Sequence, residues 1–170
     1  KKTALRDYSR PRSAGIKAIR LVDGDELIAV RLTDGKQQIV FSTRNGMVVR
    51  FKEAEARTMG RTAAGVRGSA LGTGDRVVSM GGVEPDETLL TGSENGYGKR
   101  SRCRDYRLVH RGAKGVITMK VTKKTGPVIG VVKIASEAEE VMVVTDAGKL
   151  IRMAVGDIRV MGRNTQGVRL

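Results

Sequence analysis

Aromatic residues make up 3% of the 170-residue chain: two Phe, three Tyr and no Trp. That scarcity excludes a core packed on large rings, and it argues against repeat families whose units carry a recurring Trp. One cysteine, Cys103, cannot close a disulfide within the chain, and with a single histidine no tetrahedral Cys/His zinc site can form. Catalytic side chains are equally sparse. His110 has Ser101 and Asp105 within reach in sequence, but Arg107, Arg111 and Lys114 around it oppose an imidazolium. No apolar run approaches the roughly 20 residues of a membrane span, and no signal peptide opens the chain. A reducing compartment, the cytoplasm, is the expected location. Negative charge is also short, with 18 Asp and Glu against 32 Lys and Arg, for a net charge of +14.

What the chain has instead is a period. Gly15-Ile16-Lys17, Gly65-Val66-Arg67, Gly115-Val116-Ile117 and Gly167-Val168-Arg169 recur at offsets of 50, 50 and 52. Asp25 with Asp75, Asn45-Gly46 with Asn95-Gly96, and Arg50 with Arg100 and Arg152 keep the same step. Met59-Gly60-Arg61 returns 102 residues later as Met161-Gly162-Arg163. Self-similarity at such a spacing marks an array of structural units. The register divides the chain into the end of one unit (1–14), three full units (15–64, 65–114, 115–166) and the start of another (167–170), all in one domain.

The charge follows the units. Each full unit carries +3, the first 14 residues +4 and the last four +1. An equal surplus in every unit points to a charged rim facing a long polyanion, whereas a tethering arm would concentrate its charge in one tail.

Within the first unit, Gly15 to Leu21, Glu26 to Leu32, Gln37 to Ser42 and Met47 to Lys52 read as four short strands separated by Asp23-Gly24-Asp25, Asp34-Gly35 and Asn45-Gly46. The only candidate helix, Lys52 to Met59, is short and runs into Gly60, so it reads as a single turn or a loop. The expected fold class is all-β, with propeller-like blades of four antiparallel strands packed by Val, Ile, Leu and the seven Met.

Gly96-Tyr97-Gly98-Lys99-Arg100-Ser101 looks like a phosphate loop, but Ser93 stands where the first Gly is required and Arg100 where Ser or Thr is. It is better read as a hairpin turn feeding a basic strand. Residues 59–65, 109–115 and 161–167 combine Arg or Lys with Gly at each unit boundary. Glycine lets backbone N–H groups approach a phosphate, and the cation gives the countercharge. The same loops can equally be turns closing one blade onto the next.

Leu21 to Ile28, Val48 to Lys52, Glu94 to Arg100, Lys114 to Ile117 and Gly162 to Val168 resemble the C-terminal domain of the A subunit of bacterial DNA gyrase, with the corresponding domain of topoisomerase IV as the nearest rival. The resemblance covers the whole chain. It implies a β-pinwheel, a disk of usually six blades that exchange strands, of which this chain would hold about three. It also implies that duplex DNA wraps around the basic edge, and that the partners are the gyrase B subunit together with the rest of the A subunit. ATP, Mg and the cleavage chemistry of that ATP-dependent topoisomerase would lie elsewhere, so this piece is expected to bear no catalytic residue, cofactor or metal. The family's seven-residue box, Gln-Arg-Arg-Gly-Gly-(Lys/Arg)-Gly, is not intact here. Arg61, Arg111 and Arg163 match its second Arg, and Gly65, Gly115 and Gly167 its last Gly. The candidate DNA contacts are Arg50, Lys52, Arg61, Arg67, Lys99, Arg100, Arg102, Arg111, Lys114, Lys149, Arg152, Arg163 and Arg169. A basic propeller that docks an acidic protein partner is the alternative.

Overall fold

The ten strands of the computed structural model, which describes all 170 residues, are β1 (Gln38–Thr43), β2 (Met47–Lys52), β3 (Val77–Val83), β4 (Thr88–Ser93), β5 (Tyr97–Arg102), β6 (Val116–Ile117), β7 (Val128–Ile134), β8 (Glu140–Val144), β9 (Leu150–Ala154) and β10 (Val168–Arg169). Three hairpins recur with the period. β1 and β2 meet at Asn45-Gly46, β4 and β5 at Asn95-Gly96, and β8 and β9 at Ala147-Gly148. Gly46, Gly96 and Gly148 have φ of +78°, +74° and +76°, a region that β-branched side chains avoid.

The sheets do not coincide with the sequence units. One has the order β3-β1-β2-β6 and the next β10-β5-β4-β7, while β8 and β9 form a two-stranded sheet. Each of the first two hairpins therefore takes a third strand from the following unit and a two-residue fourth strand from the unit boundary beyond that. The register repeats: Gln38 faces Val83 and Thr43 faces Val77, as Thr88 faces Ile134 and Ser93 faces Val128, with an irregularity at Ser42/Thr43 and again at Gly92/Ser93.

This exchange explains why two expected strands are missing. Gly15 to Leu21 and Glu26 to Leu32 are not strands. A segment of the second kind pairs with the hairpin of the unit before it, as β3 does with β1, and this chain has no hairpin ahead of residue 26. Leu27, Val30 and Leu32 are consequently exposed. The segment read as a turn after Lys52 is a 3-10 turn at Glu53–Glu55, repeated at Cys103–Asp105 and Val155–Asp157.

Val40, Val48, Val83, Leu89, Val128 and Val131 pack between the two four-stranded sheets with Cys103, Tyr106 and Met119. Leu90, Ile134, Val155 and Ile158 pack the second sheet onto the β8–β9 hairpin. Met119 is the only methionine among the fully buried residues, whereas Tyr106 and Phe51 are both buried. The few rings thus do contribute to the core, contrary to the aliphatic-and-methionine packing expected. The Tyr106 hydroxyl bonds Thr118 Oγ1 at 2.7 Å, which in turn lies 3.2 Å from Thr91 Oγ1, so this buried polar cluster is internally paired. β3 and β7 pack against each other, and β6 and β10 form the opposite edges of their sheets.

Candidate nucleic-acid interface

The β6 and β10 edge is built from the unit boundaries. After β5 and the 103–105 turn, the chain runs beside β2: Leu108 bridges Arg50 in parallel, and the Val109 N–H donates to the Arg50 carbonyl at 2.9 Å. It then forms the 110–115 loop and returns antiparallel as β6, with Val116 opposite Val48. The next blade repeats the path. Val160 bridges Arg100, the Met161 N–H donates to the Arg100 carbonyl at 2.8 Å, and β10 closes on β5 with Val168 opposite Gly98. Thr58 bridges Lys2 in the same way at the start of the chain. Gly115 and Gly167, with φ of +83° and +77°, turn the chain back toward the sheet. A Cβ on Gly167 would lie 2.5 Å from the Gly98 carbonyl oxygen, and one on Gly115 would collide with that of Val48.

Successive boundary loops touch. Arg61 Nη1 donates to the Lys17 carbonyl at 2.9 Å, Arg111 Nη1 to the Arg67 carbonyl at 2.5 Å, and Arg163 Nη1 to the Ile117 carbonyl at 3.1 Å. Each arginine reaches the residue two past the glycine of the preceding boundary. The Gly112 N–H also donates to the Gly68 carbonyl at 2.8 Å, and the Lys120 N–H to that of Thr165 at 3.0 Å. The loops accordingly form one continuous row across the blades. Lys17, Arg67, Lys114, Lys120 and Arg169 are exposed along it, while Arg61, Arg111 and Arg163 are half-buried with guanidinium nitrogens left over after the staple.

Three sequence candidates do not belong to this row. Arg50 is 7% exposed, and it donates from Nε to Gln38 Oε1 at 2.7 Å and from Nη1 to the carbonyls of Cys103 and Tyr106 at 2.8 and 2.9 Å. Arg100 is 3% exposed, bonds the Ile158 carbonyl through Nε, and pairs with Glu137. Their recurrence reflects a latch: at this position of the repeat a buried cation holds the next unit's 3-10 turn. Lys99 is also buried, donating to Ser101 Oγ and to the carbonyls of Gly162 and Arg163 at 3.2, 2.7 and 2.5 Å. These three are corrected to structural positions, because their donors face protein acceptors and not solvent. Arg152, the counterpart of Arg50 and Arg100 on β9, is exposed and ion-paired with Glu140. Lys52 and Arg102, at the ends of β2 and β5, and Lys149, in the β8–β9 turn, are exposed.

One set escaped the sequence reading. Arg57, Arg107 and Arg159 recur at offsets of 50 and 52, all are exposed, and each immediately precedes the residue that bridges two units. The period alone was the signal that marked them. His110 is exposed beside Glu55, with Nδ1 3.3 Å from Oε2. The Arg111 backbone N–H, donating to the same carboxylate at 2.9 Å, and His110 hold Glu55 below the usual carboxylate value. Burial pushes the Cys103 thiol up to about 11, which leaves it protonated and unreactive at neutral pH.

A family model described as "DNA gyrase C-terminal domain, beta-propeller" matches residues 1–34, 37–83, 87–135 and 139–170. The chain belongs to that family. The DNA gyrase A protein of Salmonella typhimurium is 50% identical over 170 residues, that of Escherichia coli K12 48%, and that of Staphylococcus epidermidis 44% over 172 residues. All of this chain is covered in each, but it spans only about a fifth of those proteins, 19% in all three cases. The crystal structure of the C-terminal domain of DNA topoisomerase IV superposes with a TM-score of 0.93 at 28% identity, covering 99% of this chain and 53% of that one. The structure of the DNA gyrase A C-terminal domain gives 0.85 at 29%, covering 92% and 54%. The backbone fits either relative, and the high sequence identities are to gyrase A.

Proposed function

We propose that the row of boundary loops binds duplex DNA through its phosphates and bends it, as the wrapping surface of gyrase A. The observation that carries this reading is the loop-to-loop contact. Because Arg111 reaches Arg67 and Arg163 reaches Ile117, the cations of successive blades lie on one connected edge. In this reading the wrapped DNA presents a strand crossing to the rest of gyrase A and to gyrase B, which hydrolyse ATP and introduce negative supercoils. This piece contributes binding and curvature, with no catalytic group, metal or cofactor of its own. Bending 20–30 bp smoothly through 40–90° costs about 1–6 kcal/mol, so each blade must add several charge contacts. The readout is of backbone and not of base sequence.

Affinity for random duplexes measured against salt tests the proposal. About six neutralised phosphates give a slope of log K on log salt near −5. A flat response, or binding lost only when base sequence changes, refutes it. Ligation of nicked circular plasmid with the bound domain then reads out whether the bend accumulates as a topological wrap.

A further inference from the structure

We infer that Lys99 is a positioning residue for the DNA-binding edge: its ammonium group fastens the 161–167 loop from beneath and thereby sets where Arg163 stands. The inference rests on the DNA-binding reading above, but the fastening itself can be measured without DNA.

Lys99 is a strand residue with no solvent exposure, yet its Nζ reaches the carbonyls of Gly162 and Arg163 and the hydroxyl of Ser101. An ammonium has three N–H donors for these three acceptors, whereas a neutral amine has only two. The arrangement recurs: Lys1 Nζ donates to the carbonyl of Arg61, the counterpart of Arg163, and to that of Ala18. In the blade between, Val49 occupies the lysine's position, and the loop arginine is held by Glu55 instead, through its backbone N–H and through Nε to the Glu55 carbonyl. A lysine beneath the loop is thus one of two ways the repeat fixes this turn.

Burial, and then the nearby Arg163 guanidinium, lower Lys99 to about 8, partly offset by Asp105. Tyr106, whose hydroxyl meets Thr118 and Ser101, and Cys103 are both raised, so neither ionises in that range. Desolvation lowers the α-amino group of Lys1 from its ordinary value, but Lys1 lies against the 61 loop and not the 163 loop. Protonated Lys99 repels Arg163, and a DNA phosphate on Arg163 relieves that repulsion. By linkage, DNA binding raises the Lys99 value, and affinity is highest below pH 8.

Two measurements on the intact chain test this. In NMR of the free domain, the Lys99 Cε resonance is expected to titrate with a midpoint near 8, and the amides of residues 162–167 to move with the same midpoint. Loop amides that ignore this titration overturn the staple. In binding assays with a random 40-bp duplex at ~0.1 M salt, affinity is expected to fall about eightfold between pH 7 and 9, the equivalent of one lost phosphate contact. Lys99→Met is expected to bind at the weaker level at both pH values, with a salt slope shallower by about 0.9. A Lys99→Met protein that keeps the pH step overturns the assignment. Loop amides that follow Lys99 in a domain that binds no duplex at any pH uphold the fastening and refute the DNA reading alone.

Discussion

Arg100 and Glu137 form a two-pronged ion pair, Nη1 to Oε1 at 2.7 Å and Nη2 to Oε2 at 2.9 Å, between a buried guanidinium on β5 and an exposed carboxylate ahead of β8. The pair fastens the last hairpin to the sheet before it. The Arg100 hydrogen bonds hold Glu137 below the usual carboxylate value of 4.5. A carboxylate lowered by folding adds stability that is present above 4.5 and lost as the pH falls below it through the folded value. Glu137→Gln is therefore expected to flatten that part of the acid branch of the melting profile, with the difference from the parent shrinking as the pH falls. An unchanged acid branch refutes this role.

The latch position separates stability from binding. Arg50→Met leaves the carbonyls of Cys103 and Tyr106 without their donor in a buried setting. The expected cost is on the order of 3 kcal/mol in urea unfolding. The salt slope of DNA binding should not change, because the nearly buried Arg50 directs its donors to Gln38, Cys103 and Tyr106. A shallower slope in the folded variant would return Arg50 to the contact surface.

Arg57, Arg107 and Arg159 should behave in the opposite way. Replacing all three by Ala is expected to leave the melting temperature within the small range of surface substitutions. If each meets one phosphate, the salt slope becomes shallower by about 2.7. An unaltered slope would confine the contacts to the boundary loops.

Gly167→Ala combines a left-handed φ with a close approach to the Gly98 carbonyl. Its expected destabilisation exceeds about 1 kcal/mol, since alanine resists positive φ even without the collision. Gly148→Ala has the same φ but nothing within 4 Å, and so isolates the conformational part. Equal costs for the two would show that the β10–β5 approach is not tight.

The two-stranded β8–β9 sheet has neither a third nor a fourth strand, and Met142, Val144, Leu150 and Ile151 are exposed. An isolated hairpin is marginal in water. Amide exchange in residues 140–154 is expected to be faster by orders of magnitude than in β2 and β5, which lie inside four-stranded sheets. Matched protection would contradict the strand order described above.

The hairpins were legible because Asn-Gly recurs with the period and its turn chemistry is local. Which strands share a sheet was not. A period identifies equivalent residues but does not say which copies touch, so β3 reads as the second strand of its own unit when it is the third strand of the previous sheet. Charge misled at Arg50, Lys99 and Arg100 for a related reason. On a half-exposed strand alternate residues meet water, but β2 and β5 are flanked on both edges and covered on both faces, leaving Val48 to Phe51 and Gly98 to Ser101 buried without alternation. The boundary loops were recognised as basic and glycine-rich, but their contact with one another depends on blade stacking that no single loop encodes.

Strand exchange also sets an order on the ribosome. The first hairpin ends at Lys52, yet its outer edge is closed by Val116 and Ile117. At about 5–20 residues per second, those residues are polymerised roughly 3 to 13 s later. Through that interval the edge of β2 that β6 later covers is open to pairing with anything nearby, including another nascent copy. Each blade is thus completed only after the hairpin of its successor has been made, and slowing translation between residues 52 and 117 lengthens the period of vulnerability.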